Sequence, residues 1–198
     1  PNIEVSVVGK NSTELAKALP AGEIDFALMH ALPYEETMLH SGAAIYPLAR
    51  DPLVLVTAKN HPKSRHAVST AGTKYPQMPL QWFANEPFVM VNKEQKIRQS
   101  ADLILNKAQI SPPIVLTTKS FETARRLAST GIGATFVPLR YLDIFPGSYP
   151  CDCYFVDASF DPWWTLCVAV QKNAYVSQAA KLFLRIVSEK YGDRVLAL

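Results

Sequence analysis

The sequence predicts an α/β protein whose sheets are mostly parallel. Three observations lead there. Short, almost wholly apolar runs, such as Leu53-Val54-Leu55-Val56 and Phe88-Val89-Met90-Val91, read as strands covered on both faces. Between such runs lie apolar residues at helical spacing, such as Ile97, Ala101, Ile104, Leu105 and Ala108. The two patterns alternate along the chain, as they do where helices pack on a parallel sheet.

Each element follows from local signals. Ile3, Val5 and Val7 alternate with Glu4 and Ser6, which predicts a half-buried strand over residues 3–8. Gly9-Lys10-Asn11 breaks it. Asn11 and Glu14 have capping-box spacing, and Leu15, Ala18 and Leu19 form one face of the short helix that they open. Pro20 and Gly22 stop this helix. Residues 24–29 and 53–56 read as buried strands. A loop-rich stretch over 61–87 holds His61-Pro62, Tyr75-Pro76 and Met78-Pro79, each biased against helix before the proline. The strand over 88–91 precedes the helix that begins near Ile97, and Ile114-Val115-Leu116 is the next strand. Ser120 caps a helix with Phe121, Ala124, Leu127 and Ala128 inward. Gly131-Ile132-Gly133 turns into a strand over 134–137, closed by Pro138. Pro146-Gly147 marks a turn, Tyr154-Phe155-Val156 a short strand, and residues 164–170 a longer one. Ser177 caps a last helix, which buries Ala179, Ala180, Phe183, Ile186 and Val187 and stops at Gly192.

Composition narrows the function. A chain of 198 residues holds one large domain or two small lobes, and 48% hydrophobic residues argue against disorder. The net charge is only +3 and the basic residues are scattered, unlike the concentrated patch of a DNA-reading surface. Three cysteines do not make a secreted disulfide framework and favour the cytoplasm. No apolar run approaches the roughly 20 residues of a membrane helix, and no signal peptide is visible. An enzyme is disfavoured, because no Ser/His/Asp order, metal cluster or P-loop occurs. No cofactor or metal is expected. Gly131-x-Gly133 lacks the third glycine of a dinucleotide fingerprint and reads as a tight turn. Cys151-x-Cys153 shares a strand face, which suits oxidant sensing or metal binding, with only Cys167 and scattered histidines to complete a site. Trp163-Trp164 reads as packing, not as a platform for bases.

Four segments in order resemble the effector-binding domain of LysR-type transcriptional regulators. They are Pro1-Asn2-Ile3-Glu4-Val5 through Gly22-Glu23-Ile24-Asp25-Phe26-Ala27, then Leu53-Val54-Leu55-Val56 with His61-Pro62. Glu86-Pro87-Phe88-Val89 with Arg98 follows, then Ser120-Phe121-Glu122-Thr123-Ala124-Arg125 leading to Thr130-Gly131-Ile132-Gly133-Ala134-Thr135-Phe136-Val137-Pro138. The resemblance implies a two-lobed, periplasmic-binding-protein-like (type II) fold, here lacking its first strand and helix, as in a truncated or cleaved chain. Lobe I would comprise residues 1–57 and 163–198, and lobe II residues 58–162, with crossings near Thr57-Ala58 and Asp161-Pro162-Trp163. It also implies a ligand-sensing domain that binds a small-molecule effector between its lobes to control transcription. DNA binding would belong to an N-terminal helix-turn-helix domain absent from this chain. A solute-binding protein of a transporter is the alternative: it shares the fold and is exported, so a signal peptide would mark it.

Ligands of open α/β lobes sit at the carboxyl ends of strands and at helix N-termini. Three turns meet that description: Asn11-Ser12-Thr13, Asn92-Lys93-Glu94 and Ser120-Phe121. Their N–H groups and hydroxyls suit a carboxylate or another small anion, and simple helix capping is the plain alternative. Arg98 either reaches an anionic ligand or faces solvent at a helix start. The resemblance places His30 at the crevice, as a cation or donor, against an ordinary loop histidine. It also implies a homodimer or homotetramer, built on an antiparallel pair. Ile3 and Val5 of the first strand would lie beside Leu103 and Lys107 of the partner's helix, on a second stripe shared with Ser100 and Ile110.

Overall fold

The computed structural model describes residues 4–35, 43–147, 149–171 and 176–191. In chain order its elements are α1 (Ser12–Ala18), β1 (Phe26–Ala31), β2 (Ala43–Ala58), β3 (Phe88–Val91), α2 (Lys96–Lys107) and β4 (Ile114–Thr118). Then come α3 (Phe121–Ser129), β5 (Thr135–Pro138), α4 (Leu139–Ile144), β6 (Cys151–Tyr154), β7 (Trp163–Gln171) and α5 (Gln178–Tyr191). The chain divides into two compact units, Pro1–Arg50 with Thr165–Leu198 and Asp51–Trp164. The divisions fall within β2 and β7, so each of these strands contributes residues to both units.

In the first unit β1 pairs antiparallel with β7, Phe26 opposite Val170 through Ala31 opposite Thr165, and β7 neighbours β2. Alternation along β1 sends Ala27 and Met29 toward Leu15 of α1 and Leu19, which caps it, while Phe26 faces α5. There Phe26 stacks on Phe183 at 4.7 Å. The Asn11–Glu14 capping box is complete: Glu14 N–H donates to Asn11 Oδ1, and Asn11 N–H to the Glu14 carboxylate, each at 3.0 Å. Two expectations fail here. Residues 4–8 form no strand, and Val5 and Val7 are 74% and 89% exposed. Alternation creates a face to bury, but a strand also needs a ladder partner, and none of the described strands pairs with this segment. In α5 the buried row is Ala180, Leu184 and Val187, while Ile186 is 55% exposed. Two residues past Leu184, Ile186 lies about 200° around the helix, on the far side. The expected stop at Gly192 lies outside the described residues.

In the second unit the fully buried run Leu53 to Val56 pairs antiparallel with β5 on one side. On the other side Leu55 opposes Tyr154 and Ala58 opposes Cys151 of β6. β3 and β4 run parallel, and β3 is tied to the chain before β5 by Ala134 N–H to Pro87 O at 2.7 Å and Val89 N–H to Ala134 O at 2.9 Å. One apolar layer joins Leu53, Leu55, Phe83, Phe88, Phe136 and the inner face of α2; the other joins Val54, Val56, Val137, Ala128 and Leu142. All five α2 positions expected to be inward are buried. The sheets are not mostly parallel: β1–β7, β2–β5 and β2–β6 are antiparallel ladders, and β3–β4 is parallel. An apolar run reports burial on both faces but carries no direction, so β2 and β7 were indistinguishable from parallel strands. β6 begins three residues before the expected strand at Tyr154. α4 follows Pro138 where only a stop was read. Among the described residues no helix is long and apolar enough to cross a membrane.

Candidate functional site

The turns after β3 and β4 lie side by side. Asn92 N–H donates to Thr118 O at 3.0 Å, and the Gln95 side-chain amide donates to Lys119 O at 2.7 Å. These bonds join the turns that hold Asn92 and Lys93 and that lead to Ser120, at the carboxyl ends of two parallel strands. Asn92 Nδ2 also donates to Glu94 Oε1 at 3.1 Å, and Lys93 is exposed. Asn92, Lys93, Glu94, Arg98, Ile114 and Thr117 line a hollow of about 470 Å³.

Ser120 is exposed and caps α3, its hydroxyl accepting from Thr123 N–H at 3.3 Å. Phe121 is half-buried and packs edge-on against Tyr141 at 4.7 Å, so its ring belongs to the core. Arg98 neither faces solvent nor presents a free fork. It is 4% exposed; Nε donates to both Asp102 oxygens at 2.9 and 3.1 Å, and Nη1 donates to Val91 O at 3.0 Å. It braces the end of β3 and the start of α2, with its charge answered from within.

In the first unit Asn11 and Thr13 flank Ser12, whose hydroxyl accepts the His30 N–H at 3.2 Å and joins the start of α1 to the end of β1. His30 is half-buried, and burial lowers its pKa from 6.5 to about 4, so its ring is neutral at pH 7. That removes the cationic role and leaves a donor or acceptor. Unfolded chains protonate His30 below about 6.5 and the folded unit does not, so this stability is complete above that pH and lost as pH falls toward 4. The gap from 6.5 to about 4 corresponds to about 3 kcal/mol. His30→Gln is expected to flatten the acid limb between those pH values; equal acid losses in urea titrations of variant and wild type would refute it. A further hollow of about 240 Å³, lined by Gly22, Ile24, Val170 and Ser177, contains none of the expected residues.

The interface residues are placed as follows. Ile3 lies outside the described residues, and Val5 is exposed in a segment outside any helix or strand. Leu103 is half-buried, Ser100 is buried, Ile110 packs on the core, and Lys107 pairs with Asp161 of its own unit. The second stripe of α2 is thus narrower than the spacing suggested. The burial of Asp51 and Arg125 went unread. Asp51 accepts from Arg140 N–H at 3.1 Å and from Trp164 Nε1 at 3.3 Å, and burial raises its pKa. Arg125 is buried beside Glu122 at 2.7 Å and donates to Phe145 O at 3.1 Å. Only the Glu122–Arg125 spacing was a signal.

The fold, with strands β2 and β7 shared by two α/β units, is the two-lobed, type II periplasmic-binding-protein-like one. The chain belongs to the LysR substrate binding domain family, whose profile matches residues 1–192. It is similar to the HTH-type transcriptional regulator AlsR of Bacillus subtilis, 28% identical over 147 residues, 73% of this chain and 44% of that protein. The chain therefore spans under half the length of the curated relatives it matches. Its fold is similar to the regulatory domain of Synechocystis PCC6803 CcmR in complex with 2-PG, with a TM-score of 0.76 at 19% identity, covering 95% of this chain and 83% of that one. It is also similar to the effector binding domain of QuiR in complex with shikimate, with a TM-score of 0.70 at 20% identity, covering 93% and 79%.

Proposed function

We propose that this chain is the effector-sensing domain of a cytoplasmic, DNA-binding LysR-type transcription regulator, and that its effector is a small organic carboxylate. Its two units serve as the two lobes, and DNA is bound by another part of the parent protein. The observation that carries the ligand class is the joined pair of turns after β3 and β4, where Asn92 bonds Thr118 and Gln95 bonds Lys119, next in sequence to Lys93 and Ser120. Polar hydrogens at strand ends suit an anion, and Lys93 adds an exposed cation. Ser12 and His30 form the corresponding polar cluster of the first unit. Shikimate, bound by QuiR, is a carboxylate and supports the class. The family match favours this reading over an exported solute-binding protein.

Calorimetric titration with a panel of small organic acids, shikimate included, tests the proposal. A binder should lose about 1–3 kcal/mol of affinity with Ser120→Ala or Ser12→Ala, if each hydroxyl donates to the carboxylate. Affinities unchanged in both variants would reject those roles, and a panel with no binder would reject the ligand class.

For assembly, we propose a homodimer in which the exposed segment around Val5 covers α2 of a second subunit near Leu103, burying on the order of 1,200–2,000 Å². Val5, Val7 and Val8 stand exposed together in one segment, and clustered apolar surface of this kind marks interaction sites. Leu103→Asp is expected to shift the protein toward monomer in sedimentation. A wild-type monomer at high concentration would overturn this arrangement.

A further inference from the structure

Cys151 and Cys153 stand two residues apart on β6, so their side chains leave the same face of the strand. Both are free and half-buried, and their Sγ atoms are 3.9 Å apart. They back onto Val54, Val56 and Val137 and line a hollow of about 390 Å³ with Lys59, Ser64, Tyr75 and Tyr154. The effector site does not use them.

We propose that Cys151 and Cys153 form a chelating dithiol for a soft, thiolate-seeking ion of low coordination number. The span decides for chelation. Metal–sulfur bonds of about 2.3 Å across 3.9 Å subtend roughly 115°, between the tetrahedral and trigonal angles. A disulfide instead needs an S–S distance near 2.05 Å and Cβ atoms about 3.5–4.5 Å apart. Residues i and i+2 of a strand are roughly 6.6 Å apart with their Cα–Cβ bonds nearly aligned. Closing that gap would pull β6 out of the ladder in which Cys151 faces Ala58 and Cys153 faces Val56. A bridging ion leaves the ladder intact.

The surroundings favour sulfur over other donors. A hydrogen bond with Cys153 lowers the Cys151 thiol to about 7, helped by the Arg125 and Lys59 charges, while Cys153 is pushed up. An entering divalent ion takes both sulfurs as thiolates and releases their protons. Among the described residues no group of three or more His, Cys, Asp or Glu could hold a metal. The protein thus supplies two ligands, and water or a small thiol supplies the rest. That disfavours a closed structural zinc site and suits Cu(I), Cd(II) or trivalent arsenic.

Two probes test this on the intact chain. Phenylarsine oxide should add once per chain by native mass spectrometry, losing its oxygen as water with the two thiol protons and forming two As–S bonds. Two thiols should then vanish from a chromogenic disulfide assay. Cd(II) should give a sulfur-to-metal charge-transfer band with a one-to-one end point. Cys151→Ser and Cys153→Ser should each weaken both probes on the order of 100-fold, because the chelate is lost. Cys151→Ala and Cys153→Ala should repeat the result, and Cys167→Ser should leave it unchanged. Undiminished arsenical binding in Cys151→Ser would overturn the proposal. So would quantitative conversion of the pair to an internal disulfide by mild peroxide, which would show that β6 yields and the site is redox-closing.

Discussion

Phe88→Ala is expected to destabilise the second unit by about 3–5 kcal/mol, the range for removing a fully buried aromatic ring. Phe88 opens β3 with no exposed surface. Its ring meets Phe83 edge-on at 6.4 Å and Phe136 tilted at 6.0 Å, in the layer that also receives Ile97, Ile104 and Leu105 of α2. Deleting it leaves a void among three elements that backbone bonds hold in place: Phe88 N–H donates to Pro113 O at 2.8 Å, and its neighbour Val89 donates to Ala134 O at 2.9 Å. The walls cannot collapse inward without breaking those bonds. Phe88→Leu keeps most of the volume and is expected to lose less than half as much. Urea unfolding followed by fluorescence measures both; an alanine variant within 1 kcal/mol of wild type would contradict the packing described.

Gly133→Ala is the second large effect. A methyl carbon at position 133 would sit 2.7 Å from Pro87 O, 3.0 Å from Pro87 C and 3.2 Å from Phe88 C, all backbone atoms. The adjoining Ala134 N–H donates to that same Pro87 oxygen at 2.7 Å, so relief of the clash breaks the bridge between β3 and β5. Overpacking of this kind costs about 1–3 kcal/mol, and more where backbone must move. Gly72→Ala is the matched control: its φ of +79° carries left-handed strain, but nothing lies within 4 Å. A Gly133→Ala loss no larger than that of Gly72→Ala would show that the approach is looser than described.

The two glycines of Gly131-x-Gly133 serve different physical needs, and the sequence showed only that a turn was there. Gly131 supplies a φ of +87°, whereas Gly133 makes room for a neighbouring strand. Local signals were readable in the same way elsewhere. The Asn11–Glu14 box, the caps at Ser120 and Ser177 and the buried face of α2 depend on residues within one or two helical turns. What depends on distant partners was not readable. β2 contains Pro47, Arg50 and Asp51 ahead of Leu53, which interrupt any apolar run. Asp51 belongs in a buried strand only because Arg140 and Trp164, 89 and 113 residues away, supply its hydrogen bonds. At the candidate site the turns were legible as turns. Their joining through Thr118 and Lys119, and the inward commitment of Arg98, required the fold.

β4 has a consequence for how this protein behaves at high concentration. It is the outer strand of a two-stranded sheet among the described residues, and Ile114 and Val115 are 44% and 54% exposed. A longer strand of that character invites edge-to-edge association with other chains. Here the hazard is contained by its flanks: Pro112 and Pro113, which offer no N–H, precede the strand, and Lys119 follows it, confining the edge to five residues, of which Ile114, Val115 and Leu116 are apolar. Prolines and a lysine so placed act as gatekeepers against aggregation, and exchanging Pro113 for a β-branched residue would lengthen the sticky edge in the direction they now block.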